Sequence, residues 1–149
     1  MELLTRNFGT INVEDKKVVT FIEGIPGFEE LTKYMLIEDT EDAESPFVYL
    51  QSVEDGQVCF ILIDPSIVDE NYSIEIRDKY MIALGGGEPE DFSMFVIVTA
   101  KNNFEESTVN LLAPIIIQHE TRKAMQIILE NTSYKTKHRI IDLISERSS

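Results

Sequence analysis

Short apolar runs separated by polar turns make up most of the chain. The runs are rich in β-branched and aromatic residues, and most are about four to eight residues long, which is typical of strands. Turn signals recur about every 8–12 positions, so the pattern predicts about nine or ten short strands. We therefore expect a mainly β fold. It would be a small antiparallel β-barrel or sandwich with a few short helices, in a single domain over residues 1–149.

The strands are assigned from composition and from period-two alternation. They are predicted at 18–21, 33–37, 47–52, 58–63, 72–76, 92–99, 108–117 and 124–129, after a hairpin or bent strand at 3–13. The run at 72–76 alternates cleanly, which predicts a half-buried strand with Tyr72, Ile74 and Ile76 pointing inward. Pro114 cannot donate a hydrogen bond to a neighbouring strand, so it marks a bulge or an edge.

Helical signals are few. Asp78 can cap a short helix at 79–84, and 28–31 can form a single helical turn. Ile140, Ile141, Leu143 and Ile144 have helical spacing, so residues 138–149 are predicted to be a helix-like C-terminal tail.

The stretch Phe21-Ile22-Glu23-Gly24-Ile25-Pro26-Gly27-Phe28-Glu29-Glu30-Leu31 follows a predicted strand and contains two glycines and a proline. Glycine adopts positive φ angles at no steric cost, and proline fixes its own φ, so this stretch is a tight turn. It also carries Ile25 and Phe28, which are large and apolar. These two side chains either pack into the core of the protein or contact a partner, and the residues alone leave both readings open.

The formal net charge is −14. Such a surface repels phosphates, so direct binding to nucleic acid is not expected, whereas a basic protein would be attracted. Solubility alone also accounts for acidic composition. Five of the seven residues at 38–44 are acidic, and this segment is either a solvated loop or an acidic docking patch.

The cellular location follows from what the sequence lacks. No apolar run approaches the roughly 18 residues of a membrane-spanning helix, and the N-terminus has no pattern of a secretory signal. Cys59 is the sole cysteine and lies inside an apolar run, so it is expected to be buried. These features favour the cytoplasm and no membrane association.

No residue pattern typical of catalysis is present. His119 and His138 lack metal-ligand spacing, and no G-x-S-x-G motif occurs. Gly85-Gly86-Gly87 lacks the Lys-Ser/Thr of a phosphate-binding loop. Asp64 ends a predicted strand, where capping a turn is the simplest role for it. We therefore predict no enzyme and no catalytic, cofactor-binding or metal-binding residue, and the residues indicate a protein-binding domain.

A series of short motifs resembles the FliW family of flagellar assembly factors, in the order of that family and from about Leu3 to His138. Besides the stretch at 21–31, the series comprises Phe8-Gly9, Ser45-Pro46-Phe47, Leu50-Gln51-Ser52-Val53, Ile63-Asp64-Pro65, Pro89-Glu90-Asp91, Ile97-Val98-Thr99, Asn110-Leu111-Leu112-Ala113-Pro114-Ile115 and Thr121-Arg122-Lys123. The chain departs from the family pattern at Ile22, where the family usually has proline. It also extends beyond the resemblance into the C-terminal tail.

The resemblance implies a non-enzymatic, β-barrel-like flagellar assembly factor with two protein partners. One is flagellin, held in the cytoplasm before export. The other is the carbon storage regulator (CsrA), a basic RNA-binding protein that represses translation of flagellin. In this scheme the free factor binds CsrA and relieves the repression, and accumulated flagellin recaptures the factor.

The partner-binding surface is predicted from the turn at 21–31. Ile25, Pro26 and Phe28 form an apolar centre, and Glu23, Glu29 and Glu30 form a charged rim, as in many interfaces. A second candidate is the edge near Asn110 and Pro114, where the proline could leave backbone groups unpaired. The alternative to a binding protein is a small-ligand carrier or an enzyme that uses the interior of the barrel.

Overall fold

The computed structural model describes residues 1–38, 42, 44–130 and 132–148. Within these residues the chain forms eleven strands and three α-helices. They are β1 (Glu2–Thr5), β2 (Gly9–Asn12), β3 (Val18–Phe21), β4 (Lys33–Glu38), β5 (Phe47–Ser52), β6 (Cys59–Ile63), α1 (Pro65–Val68), α2 (Asp78–Ala83), β7 (Phe92–Thr99), β8 (Thr108–Val109), β9 (Ile115–Gln118), β10 (Lys123–Gln126), β11 (His138–Arg139) and α3 (Ile140–Ser148).

Seven strands close into a barrel in the order β3–β4–β5–β6–β7–β9–β10, and β10 pairs with β3. The other neighbours in this ring are antiparallel, but β10 and β3 run parallel. A closed ring with an odd number of strands must contain at least one parallel pair. The predicted mainly β class and the barrel are therefore confirmed. The prediction that the barrel is antiparallel holds for every neighbouring pair in the ring except β10 and β3.

The interior of the barrel is an apolar core. It holds buried side chains from β3, β4, β5, β6, β9 and β10, and from the turn that follows β3. They are Val19, Phe21, Ile25, Tyr34, Leu50, Leu62, Ile115, Ile117 and Ala124. Phe60, Phe95 and Ile97 pack against this cluster from partly buried positions.

The outer faces of β7 and β9 are also covered. Val96 and Val98 pack with Tyr72, Leu111 and Ile140 in one outer cluster. Phe92 and Ile116 pack with Leu84 in a second outer cluster, against which Tyr80 and Met81 of α2 also lie. Strands buried on both faces are apolar almost throughout, which is why these two read as continuous hydrophobic runs in the sequence.

The predicted strand at 72–76 is wrong, although its predicted burial is right. Tyr72 is buried and Ile74 and Ile76 are half-buried, while Ser73 and Glu75 are exposed, yet no strand pairs with this segment in the described parts of the chain. The segment crosses the outer face of the barrel and packs there through its side chains. Alternating polarity reports which side chains are buried, and here it does not report pairing.

Three other predictions change in detail. The apolar segment 108–117 is two strands, β8 and β9, with Pro114 between them. The residues at 28–31 form a turn rather than a helical turn. Asp78 is the first residue of α2, and the capping position belongs to Arg77, whose side chain makes no capping hydrogen bond. The N-terminal segment is a hairpin, β1–β2, and the helix at the C-terminus is present as α3.

Candidate protein-binding site

The turn after β3 covers one end of the barrel and separates its two large apolar side chains. Ile25 is only 3% exposed and belongs to the interior cluster. The Phe28 N–H donates a 2.7 Å hydrogen bond to the Ile25 carbonyl, and the two residues form an isolated antiparallel bridge. Phe28 is 38% exposed. The turn therefore places Ile25 in the core and leaves Phe28 at the surface.

Two glycines make this turn possible. Gly27 has a φ of 90°, a conformation that side-chain-bearing residues rarely adopt. A Cβ at Gly24 would overlap backbone atoms of Glu29, including its Cα. The backbone at Gly24 therefore passes that at Glu29 without room for a side chain. The tight crossing holds Phe28 in a fixed position.

Phe28 is the outermost of four aromatic rings that extend from the core to the surface. Its ring meets that of Phe60 edge-on, with centroids 5.1 Å apart. Phe60 lies 6.0 Å from Tyr34, which lies 5.2 Å from Phe21. Phe28 therefore both covers the barrel end and presents an exposed aromatic face, and contacts of this kind each contribute about 0.5–1.5 kcal/mol beyond area burial.

The turn that carries Phe28 also carries three acidic residues. Glu23, Glu29 and Glu30 are all exposed, as is Pro26. Glu29 Oε1 accepts a 3.1 Å hydrogen bond from the Gly27 N–H. Hydrogen bonds from the backbone of Gly27 and of Glu29 itself hold the pKa of Glu29 below its usual value. Glu29 is thus held as an anion beside the aromatic surface.

Sequence reasoning missed two residues that complete this end of the barrel, Phe60 and Glu54. One oxygen of the Glu54 carboxylate accepts hydrogen bonds of 2.8 Å from the Thr32 N–H and 2.9 Å from the Lys33 N–H. Both hydrogen bonds lower the pKa of Glu54, and the one from the Lys33 N–H has the larger effect. They attach the end of the turn to the loop after β5, a contact between distant residues that no local pattern signals.

We define the barrel-end patch as Phe28 with Ile22 and Pro26 at its centre and Glu23, Glu29 and Glu30 at its rim. Ile22, at 40% exposure, joins the patch in place of Ile25. Because Ile25 is buried, it positions the turn and does not present a surface to a partner.

The second candidate, near Asn110 and Pro114, lies at the same end of the barrel, because β9 and β10 run antiparallel and β10 runs alongside β3. Its expected unpaired edge is not there. The Pro114 carbonyl accepts a 2.9 Å hydrogen bond from the Ile127 N–H, and Pro114 is buried. Asn110 Oδ1 accepts from the N–H groups of Leu112 and Ala113. Asn110 and Pro114 therefore shape this end of the barrel, and the extended segment after β10 covers the edge.

Other sequence predictions meet the structure as follows. Most of the acidic segment 38–44 lies outside the described residues. No group of three or more His, Cys, Asp or Glu side chains that could hold a metal is found in the part of the chain that the structure describes. The same residues contain no helix long and apolar enough to cross a membrane. Packed side chains of the interior cluster occupy the space that a carrier would need for its ligand.

A model of the FliW protein family matches residues 2–140. The chain belongs to the FliW family. A flagellar assembly factor FliW of Caldanaerobacter subterraneus subsp. tengcongensis is 42% identical over 142 residues, which are 95% of this chain and 94% of that protein. The FliW of Alkaliphilus metalliredigens is 36% identical over 146 residues, covering 98% and 90%. A crystal structure of the flagellar assembly factor FliW matches with a TM-score of 0.86 at 37% identity, covering 94% of this chain and 96% of the other.

These comparisons confirm the resemblance seen in the sequence. The family match ends at Ile140, so most of α3 lies beyond it. That helix is nevertheless tied to the fold, because Ile140 is 3% exposed in an outer cluster and Leu143 packs against the same cluster.

Proposed function

We propose that this protein is a cytoplasmic flagellar assembly factor that binds flagellin and antagonises CsrA, and so relieves repression of flagellin translation. The names of its relatives support a role in flagellar assembly. The observation that carries the binding function is the barrel-end patch, in which the exposed ring of Phe28 shares a tight turn with the exposed acids Glu23, Glu29 and Glu30. An apolar centre with a charged rim is how protein interfaces are commonly built.

The two partners form a circuit that needs no catalytic step. Free protein binds CsrA and lowers the fraction of CsrA that occupies flagellin messenger RNA. When flagellin accumulates before export, it captures the protein, and CsrA returns to the RNA. Concentrations and relative affinities are sufficient to drive this exchange, because a ligand shifts an equilibrium by its differential binding.

The charge of the protein supplies a mechanism for the release of RNA. A body with a net charge of −14 docked on a basic RNA-binding protein makes the electrostatic potential near the RNA site more negative. The effect reaches over a Debye length of about 8 Å at physiological salt, so RNA phosphates are repelled without the groove being filled.

Calorimetric titration of the protein against purified flagellin and against purified CsrA tests this proposal. We expect saturable binding to each partner. Phe28→Ala should weaken at least one of the two interactions, whereas Phe104→Ala should weaken neither, because Phe104 is exposed at 54% in a turn next to α3. Absence of binding to both partners would refute the proposed function. Equal binding by the two variants would show that the barrel-end patch does not contribute to binding of either partner.

A further inference from the structure

The segment that crosses the outer face of the barrel has an unpaired backbone. From Ser73 to Ile76, neither the N–H nor the C=O groups have a hydrogen-bond partner among the residues that the structure describes. The bonds resume on either side, where the Tyr72 N–H donates to the Asp69 carbonyl over 2.9 Å and the Arg77 carbonyl accepts from Tyr80 over 2.9 Å. Four consecutive residues therefore offer the donors and acceptors of a strand edge.

Side chains hold this segment in place. Tyr72 is 8% exposed, and its hydroxyl donates a 2.8 Å hydrogen bond to the Leu111 carbonyl. Ile74 and Ile76 pack against the outer clusters, while Ser73 and Glu75 point outward. The period-two burial is that of a strand. An edge that is fixed before binding costs little entropy to pair, which favours its use as a template.

Grooves flank the segment on both sides. One has a volume of about 510 Å³ and lies between 73–77 and 127–130, with Tyr80 and Tyr134 in its walls. The other, of about 460 Å³, lies between the segment and the first half of β7. Ser73 and Ile74 line both grooves, so either side of this edge has room for an added chain.

The larger groove has an apolar and acidic character. Ile127 and Leu129 are buried or half-buried in it, and Ile128 is 66% exposed at its wall. Glu75 and Glu130 are exposed there. Arg77 is the cation among the described lining residues, and Lys79 lies over the ring of Tyr80 at the wall, 5.0 Å from its centroid. The net charge of −14 adds to the preference for a basic occupant.

We propose that this groove binds an extended protein segment with alternating apolar and basic side chains, which pairs with Ser73–Ile76 as an added β-strand. Main-chain hydrogen bonds supply affinity in such complexes, and alternate side chains supply specificity. The apolar side chains lie on the groove floor, and the basic ones face Glu75 and Glu130. This surface is separate from the barrel-end patch, so the inference does not depend on the proposed function.

The test uses a fluorescent peptide of alternating Val and Lys, about six residues long and blocked at both ends. Hydrogen exchange of the full-length protein is recorded with and without it. Amides 73–76 should exchange freely in the free protein and be protected in the complex. Absence of binding would overturn the proposal, and so would protection confined to residues 21–31.

Matched peptides and variants separate strand addition from general charge attraction. Methylation of alternate peptide nitrogens removes donors and should weaken binding on the order of tenfold. Glu75→Lys should weaken it by about two- to fivefold. Glu2→Lys, in the β1–β2 hairpin and outside the groove lining, should not. Ile128→Asp should weaken binding, whereas Ile82→Asp, at an equally exposed isoleucine of α2 outside the groove, should leave it unchanged. Equal binding of the methylated and unmethylated peptides would contradict strand addition.

Discussion

At the residue scale, the turn after β3 assigns different roles to Ile25 and Phe28. Both are large apolar residues, and each directly follows a glycine. The sequence therefore does not show which of the two is buried and which is exposed. The difference arises from the bridge between the two residues and from the position of Phe60, which is 32 positions away from Phe28 in the chain. Contacts of this range carry no local signal, and the structure was needed to place Phe28 at the surface.

The first prediction concerns Phe28→Ala. Because Phe28 is partly exposed, its removal should lower the free energy of unfolding by about 1–2 kcal/mol, less than the roughly 3–5 kcal/mol of a fully buried phenylalanine. Urea denaturation measures this cost. A loss of roughly 3–5 kcal/mol, as for a fully buried phenylalanine, would mean that Phe28 acts mainly as a core residue.

Glu54 provides a prediction about pH. Its folded-state pKa is lowered by the backbone N–H groups of Lys33 and Thr32. Such a group stabilises the fold above its unfolded pKa, and the contribution is lost as the pH falls through the lowered folded pKa. Glu54→Gln should therefore be less stable than the natural chain at neutral pH, and the gap should narrow as the pH drops below 4.5. Urea denaturation of both chains across this range measures it, and a gap independent of pH would contradict the assignment.

At the element scale, the sequence predicted strands best where both faces are buried. β7 matches its predicted bounds, Phe92–Thr99, because a long run of β-branched and aromatic residues admits few alternatives. The segment 72–76 has an equally clear pattern but no strand partner among the residues that the structure describes. Alternation is produced by packing on one side, and whether a neighbouring strand lies alongside depends on the rest of the chain.

The C-terminal helix gives a prediction with a matched pair of isoleucines. Ile140 of α3 is 3% exposed, and Ile82 of α2 is 72% exposed. Ile140→Ala should lower the free energy of unfolding by about 2–4 kcal/mol, and Ile82→Ala should change it by no more than about 0.5 kcal/mol. Thermal or urea unfolding compares them. Equal losses in the free energy of unfolding for the two variants would show that α3 is not part of the folded core.

At the scale of the whole molecule, charge and barrel closure were predictable to different degrees. The net charge of −14 is fixed by composition, and it fits both a basic partner and solubility alone. The single parallel pair, β10 with β3, follows from the number of strands in the closed ring, and that number depends on pairings between distant segments.

The electrostatic mechanism predicts an effect of salt. At saturating protein, raising the ionic strength should reduce the release of RNA from CsrA, because the field of the docked acidic protein is screened. RNA affinity measured at each salt concentration without the protein is the control, since that affinity also falls with salt. Release that stays undiminished in high salt would argue for a steric or conformational mechanism.

The circuit as a whole is tested most directly by fluorescence anisotropy of labelled RNA bound to CsrA. Adding this protein should release the RNA and lower the anisotropy, and adding flagellin afterwards should restore the original value. Phe28→Ala should require a higher concentration for the same release than Phe104→Ala. If the RNA stays bound at saturating protein, or if flagellin fails to restore binding after release, the proposed exchange between the two partners is contradicted.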